Sequence, residues 1–302
     1  MIKNIITKKD IEYYQKMGGA ILDQIIKNKR ILITGGAGSI GSEIVRQLAP
    51  GNKIFILDQN ETGTFDLAEE LKQDGYWVEA RVGDIRDKAT VQDLFEDFKP
   101  QYIFHAAAYK HVTPMETYPL EAIQTNILGT YNIMSEAKRW ECLEKFVYIS
   151  TDKVVNGRSI MGATKKVGEI MVRNQGKKFI VVRFGNVLGS RGSLIPLWQN
   201  QINRGKPITV TDRRMTRYFM TIPEAVYLVI KAAEQGKGGE IFILDMGKQV
   251  NILNLAHEVL EKAGGGKIKM IGLRPGETLD EKLMTLEEEK VAIKKNNFYI
   301  IK

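Results

Sequence analysis

A single cysteine, Cys142, excludes an intrachain disulfide. It fits a reducing compartment, so the cytoplasm is the expected location. No cluster of cysteine and histidine has zinc spacing and no acidic loop has calcium spacing, so no metal is expected. No run approaches the ~18 uncharged apolar residues that a membrane helix needs. Lys8, Lys9, Asp10 and Glu12 interrupt anything resembling a signal-peptide core. Internal repeats and low-complexity stretches are also missing. Charge is the one bulk excess, with a formal net charge of +8. The basic residues are scattered and aromatics do not interleave with them, so no nucleic-acid partner is expected. An anionic nucleotide substrate, or peripheral contact with an anionic membrane surface, suits the same charge.

What the chain does contain is alternation. Short apolar runs at 30–34, 53–58, 77–82, 102–106, 145–150 and 179–184 read as strands. Helical patterns at 40–48, 65–73, 90–98, 120–140 and 162–174 lie between and after them. Continuously apolar strands joined by helical crossovers predict a parallel sheet covered on both faces. Right-handed crossovers make it an α/β, doubly wound Rossmann sheet. After Asn186 the punctuation by Gly189, Gly192, Pro196, Gly205 and Pro207 changes the rhythm. A helix at 222–234, a strand at 241–244 and a helix at 252–263 follow. The expected organisation is a polar lead-in over 1–29, a dinucleotide-binding domain over 30–185, and a smaller C-terminal substrate-binding lobe over 186–302 that partly returns to the sheet. Within the lead-in, 11–26 has an amphipathic helical pattern that Gly18 and Gly19 break.

Gly35, Gly38 and Gly41 directly follow the first strand, and Ser39 and Ile40 begin the first helix. Glycines there allow a tight turn and close approach to a pyrophosphate at the positive helix end. Asp58 ends the next strand, where it can accept from a ribose 2′-hydroxyl and repel a 2′-phosphate. NAD is therefore the expected cofactor, with NADP the alternative if Arg46 or Arg81 meets a phosphate. Asp84 and Ile85 follow the third strand and face the adenine in this reading. Ala106 and Ala107 follow the fourth, where small side chains let the backbone approach the cofactor.

Ser150, Thr151, Asp152 and Lys153 close the fifth strand. Alone, such a charge pair reads as a solvated surface turn. Met161 and Lys165 stand four residues apart on a predicted helix and share its face. Methionine there is equally at home as core filler.

Several strings carry a resemblance: TGGAGSIG from Thr34, GDIRD from Gly83, FHAAAYKHV from Phe104, TNILGT from Thr125, STDK from Ser150, MGATKK from Met161, RFGNVLGSRGSLIP from Arg183, MTRYFMTIPEA from Met215 and GLRPGE from Gly272. Spread from Arg30 to about Leu283, they resemble the short-chain dehydrogenase/reductase superfamily. Within it they resemble the UDP-N-acetylglucosamine 4,6-dehydratases of the capsular-polysaccharide type with a Ser-Met-Lys set. Many members carry amino-terminal membrane helices, so this chain resembles their soluble catalytic portion or a short form.

The resemblance implies that a hydride leaves carbon 4 of the sugar and later returns to carbon 6. In between, the carbon-4 ketone acidifies the proton on carbon 5, and water departs from carbons 5 and 6. It makes Asp152 the acid for the departing hydroxyl and Lys153 the base at carbon 5, with Thr151, Met161 and Lys165 completing the catalytic set. Lys153 must then be neutral and Asp152 protonated, and both can face the sugar only if the chain leaves the strand at Thr151. Methionine exchanges no proton, so Thr151, Lys165 or water must take the one on the carbon-4 hydroxyl.

Lys110, His111, Asn186, Arg191, Gly192 and Ser193 match the sugar and nucleotide loops. Arg217 and Arg274 are candidate diphosphate clamps, and Glu277 a candidate acceptor for the uridine ribose. A UDP-N-acetylhexosamine substrate, a surface-glycan product and a homo-oligomer are implied. The rival functions are a carbon-5-inverting dehydratase or epimerase of the same fold, and a catalytically silent NAD-sensing protein.

Overall fold

A computed structural model describes residues 26–302. The amphipathic pattern over 11–26 falls outside the described residues except for Ile26, which is buried in the main core.

A nine-stranded sheet organises the molecule. Its first half alternates strictly: β1 (Arg30–Thr34), α1 (Ser39–Leu48), β2 (Lys53–Asp58), α2 (Glu61–Gln73), β3 (Val78–Val82), α3 (Lys88–Phe98) and β4 (Tyr102–His105). Two short helices follow, α4 (Val112–Thr117) and α5 (Pro119–Ile123). Then come a π-helical turn over Gln124–Gly129, α6 (Thr130–Arg139), β5 (Lys145–Thr151), a 3₁₀ turn over Asp152–Val154, α7 (Ile160–Arg173) and β6 (Phe179–Phe184). Ile31, Leu32 and Ile33, or Val147 and Tyr148, are buried without alternation because helices cover both faces of a central strand.

The remaining chain contributes β7 (Asn186–Val187), α8 (Leu194–Asn203), β8 (Ile208–Val210), β9 (Thr216–Arg217), β10 (Phe219–Met220), α9 (Ile222–Gln235) and β11 (Ile241–Leu244). It ends with β12 (Val250–Asn251), α10 (Ile252–Lys262), β13 (Ile268–Met270), α11 (Leu286–Val291), β14 (Ile293–Lys295) and β15 (Phe298–Ile301). Strand order is β14-β15-β11-β6-β5-β4-β1-β2-β3. All neighbours from β11 to β3 are parallel, while β15 and β14 close one end as an antiparallel hairpin. The C-terminal segment therefore divides. Its β11, β14 and β15 extend the main sheet, and Trp198, Ile208, Val210, Ile252 and Val259 build a separate small core for the lobe.

The order reverses between β1 and β4, so the crevice opens there beyond the carboxyl ends of the strands. The predicted long helix at 120–140 is interrupted. Its π turn inserts one extra residue per turn, and Gly129 lies so close to Ile85 that a Cβ would stand 2.6 Å from that side chain. The inserted turn points the Asn126 carboxamide back to the Tyr109 backbone, where it accepts from N (2.8 Å) and donates to O (3.0 Å).

Candidate active site

A cavity of about 1070 Å³ runs along this crevice, at the upper end of the usual range for ligand pockets. Its cofactor end is made of backbone. Gly35 takes φ +67°, and a Cβ on it would stand 2.6 Å from the Ala107 backbone. A Cβ on Gly41 would stand 2.1 Å from the Gly35 carbonyl oxygen. Gly38 begins α1 with no capping side chain, which leaves the first amide groups of the helix open to an anion. Ser39, Ile40, Ala106 and Ala107 line the same end. Asp58 accepts from the amides of Ala37 and Asn60 at 2.9 Å each, so the glycine loop itself holds its carboxylate at the cavity. Asp84 is tied to Arg86 at 2.6 Å, and Ile85 packs beneath the π turn. These residues fit a dinucleotide: glycines where a Cβ would collide, open amides at a helix start, and an acceptor where the ribose would lie. Arg46 is paired with Glu70 and Arg81 with Asp97, so neither is a free phosphate partner.

The chemical end begins where β5 stops. Thr151 caps the 3₁₀ turn, its Oγ1 accepting from the Lys153 amide at 3.4 Å and donating to Asp152 Oδ1 at 2.9 Å. The chain leaves the strand at this residue, as the two roles require. The two side chains are nevertheless placed differently. Lys153 lines the cavity, and its Nζ donates to Asp152 Oδ1 (2.9 Å) and Asn186 Oδ1 (3.2 Å). Asp152 is wholly buried behind that wall, and its Oδ2 has no hydrogen-bond partner. Glu281 was not anticipated from the sequence. It lines the cavity 3.9 Å from Lys153 Nζ and 3.8 Å from the Arg217 guanidinium. Burial is the main cause that raises its pKa, with the Asp152 charge adding to it against Lys153 and Arg217. The only sequence signal was an acidic pair, Asp280 and Glu281, trailing the GLRPGE string.

Lys165 is buried on the same wall, its Nζ donating to the Ile149 carbonyl and lying 4.0 Å above the Tyr148 ring centroid. Burial drives its pKa down to about 7, against the Glu169 charge. Met161 is both things the sequence allowed. It lines the cavity, and it also packs with Met115 and Ala122 between α4, α5 and α7. Ser150 donates to Glu169 Oε1 at 2.7 Å, and Glu169 pairs with Arg183 at 2.8 Å, so that hydroxyl belongs to a buried ionic cluster.

The substrate loops meet at the far end. His111 lies against Gly192, where a Cβ would stand 2.6 Å from the ring, and Gly192 takes φ +68°. Burial lowers the pKa of both Lys110 and His111. The Arg191 amide donates to Ser39 Oγ at 3.0 Å and joins this loop to the cofactor loop. Asn186, Arg191 and Ser193 line the cavity. Arg217 lines the cavity as well. Its guanidinium donates to the carbonyls of Thr216 (2.7 Å), Thr278 (2.7 Å) and Leu279 (3.1 Å), which fastens the 278–281 segment to β9. Arg274 and Glu277 pair with each other at 2.5 Å on the cavity wall. Among the described residues no cluster could hold a metal ion, and no helix is long and apolar enough to cross a membrane.

The chain is 46% identical over 283 residues to the capsular polysaccharide biosynthesis protein CapD of Staphylococcus aureus, covering 89% of this chain but 47% of that protein. The chain thus spans about half the length of that relative. It is 34% identical to the UDP-N-acetylglucosamine 4,6-dehydratase (inverting) of Campylobacter jejuni, covering 92% of this chain and 84% of that one. Among solved structures, Pen from Bacillus thuringiensis matches with a TM-score of 0.87 and 37% identity over 92% of this chain and 89% of that one. The UDP-glucose 4-epimerase of Thermus thermophilus, solved with NAD, matches with a TM-score of 0.75 and 25% identity over 85% and 91% of the two chains. A family model described as polysaccharide biosynthesis protein matches residues 31–302. With the open glycine cradle, the reversal of strand order and these relatives in view, the chain belongs to the polysaccharide biosynthesis protein family, among the nucleotide-sugar dehydratases and epimerases of the short-chain dehydrogenase/reductase fold.

Proposed function

We propose that this chain catalyses the 4,6-dehydration of UDP-N-acetylglucosamine to a UDP-4-keto-6-deoxy-N-acetylhexosamine for surface-polysaccharide synthesis. NAD is the cofactor; bound in the glycine cradle it supplies a reversible hydride acceptor. One observation carries the reading. A cavity-facing amine, Lys153, is bonded to a carboxylate and to Asn186 immediately after the strand that borders the cradle. Plain alcohol oxidation or 4-epimerisation needs no base at carbon 5; loss of water across carbons 5 and 6 does.

Lys153 takes the carbon-5 proton, and Asp152, bonded to its amine, is the acid for the hydroxyl that departs from carbon 6. Thr151 and Lys165 are the protic groups beside the carbon-4 hydroxyl, since Met161 transfers no proton. A Lys165 pKa near 7 suits it to hold or release a proton there at neutral pH. His111, Asn186, Arg191 and Ser193 bind and orient the nucleotide sugar. A second copy of the chain covers the exposed apolar side chains of Leu128 and Tyr131 and of neighbouring Val167 and Ile170 on α7. The reaction is followed by proton NMR with UDP-N-acetylglucosamine. A new carbon-6 methyl doublet is the expected product signal. A galacto-configured product would instead support epimerisation, which the likeness to a 4-epimerase keeps as the second reading. No change at all would favour a cofactor-binding protein without turnover.

A further inference from the structure

Burial strips charge from an amine, yet Lys165 must carry a proton part of the time if it is to serve the carbon-4 hydroxyl. We propose that the Tyr148 ring is the seat of the Lys165 ammonium: its π-face holds the amine in place and favours the charged form on a buried cavity wall. Tyr148 is thus a positioning residue, acting on the sugar only through Lys165. Its consequence for turnover rests on the role given to Lys165 above; the seat itself does not.

Lys165 Nζ stands 4.0 Å from the ring centroid, inside the ~6 Å over which the negative face of an aromatic ring attracts a cation. Tyr148 has no exposed surface, and a desolvated ring attracts a cation more strongly than one at the surface. The amine also donates to the carbonyl of Ile149, the next residue on β5. Strand and helix are fitted to one another at this point. A Cβ on Gly168 would stand 2.1 Å from Tyr148 Oη, so glycine lets α7 ride directly on the phenol. From there Oη donates to the Lys165 carbonyl at 3.4 Å, and Tyr148 meets the lysine at both its backbone and its amine.

The other charged and titratable groups around the amine leave this part to the ring. Glu169, one turn along α7, favours the ammonium. Its carboxylate is shared with Arg183 at 2.8 Å and Lys166 at 3.3 Å, which offset much of its field. On β4, His105 stacks beside Tyr148 with ring centroids 5.8 Å apart, and its ring meets the hydroxyls of Thr34 (2.6 Å) and Thr130 (2.9 Å). Burial, with the Lys165 charge adding to it, lowers the His105 pKa to about 3, so this imidazole stays neutral at working pH and does not repel the ammonium. Burial raises the pKa of the Tyr148 phenol, which therefore keeps its proton. The Ile149 carbonyl accepts from the amine in either state, whereas the π-face draws the charged one.

Phenylalanines carrying no, one, two and three ring fluorines, placed at position 148 by codon suppression, weaken the ring quadrupole stepwise at nearly constant shape. The Lys165 pKa is read by NMR on carbon-13-lysine protein loaded with NAD, its signal identified by its loss in Lys165→Met. Tyr148→Phe should keep the wild-type pKa within about 0.3 pH units, and the fluorinated series should lower it progressively by about one pH unit in all, the scale of a buried cation–π contact. Tyr148→Leu, which removes the ring, should match the end of the series. The limb of the kcat profile that reports Lys165 should move to lower pH by the same amount. A pKa unchanged across the series overturns the proposal. So does an equal fall in Tyr148→Phe and every fluorinated form, which would make the hydroxyl the cause. A falling pKa with an unmoved kcat profile upholds the seat and removes Lys165 from the carbon-4 chemistry.

Discussion

Replacing Lys165 by methionine removes one buried amine and leaves a side chain of similar length in its channel. In the folded protein burial holds the Lys165 pKa at about 7, against 10.5 for the free side chain. The sign follows from proton counting. Above about pH 10.5 the amine is neutral in both folded and unfolded chains, and its ionisation costs no stability. As pH falls, the unfolded chain takes up the proton first while the folded chain excludes it. Stability therefore drains away between about pH 10.5 and pH 7, and is flat below that. A gap of roughly 3.5 units corresponds to ~5 kcal/mol across the whole window. Between pH 7 and 9 the share is ~2 kcal/mol, because the folded amine is still half protonated at pH 7.

Equilibrium urea denaturation followed by tryptophan fluorescence at pH 7, 8 and 9 measures it. Wild type should gain about 2 kcal/mol more than Lys165→Met over that interval. Lys110 and Lys145 also have pKa values lowered by burial, but they are present in both proteins and cancel in the difference. Parallel pH profiles for the two proteins would refute the reasoning, and with it the buried neutral amine.

Gly41→Ala places a Cβ 2.1 Å from the Gly35 carbonyl oxygen. It should weaken NAD binding by at least ~10-fold, or ~1.4 kcal/mol, by fluorescence quenching; unchanged affinity would remove the cradle assignment. Met161→Leu keeps volume and polarity in the cluster with Met115 and Ala122, so stability should change by less than ~1.5 kcal/mol and turnover should stay within a few-fold. A large selective loss of turnover would mean that the thioether itself contributes. Arg183→Met leaves Glu169 and Glu288 facing one another without their shared cation. Breaking such a buried cluster should cost ~3–5 kcal/mol in urea denaturation; a loss below ~1 kcal/mol would mean water already reaches the pair.

The parallel sheet was legible because its central strands are apolar on both faces and therefore announce themselves without periodicity. The strands at 30–34, 53–58, 179–184 and 241–244 match residue for residue. The hairpin of β14 and β15 was hidden because Lys294, Lys295, Asn296 and Asn297 interrupt the short apolar runs on either side. Register with β11 makes it structural. The π turn left no trace in sequence because it obeys no apolar period of its own, only the fit of Gly129 against Ile85. At the site, glycines and the strand-end string were visible because they are contiguous. Glu281 was not, since it reaches Lys153 from 128 residues away through a segment that Arg217 fixes. For Arg217 the sequence shows the charge that lines the cavity and not the carbonyls of Thr216, Thr278 and Leu279 that it also meets.

The segment fastened by Arg217 at Thr278 and Leu279 is anchored again at its far end, where Arg183 Nη1 donates to the Leu283 carbonyl at 2.9 Å. A stretch moored at both ends by guanidinium groups makes a poor door. Swinging it outward would sever several charge-assisted bonds at once. Any widening of the cavity then falls to the opposite rim, where Gly189 and Gly192 sit at positive φ and can absorb rotation that other residues resist. The cavity thereby has one jamb held fixed beside Lys153 and another whose glycines leave it freer to turn.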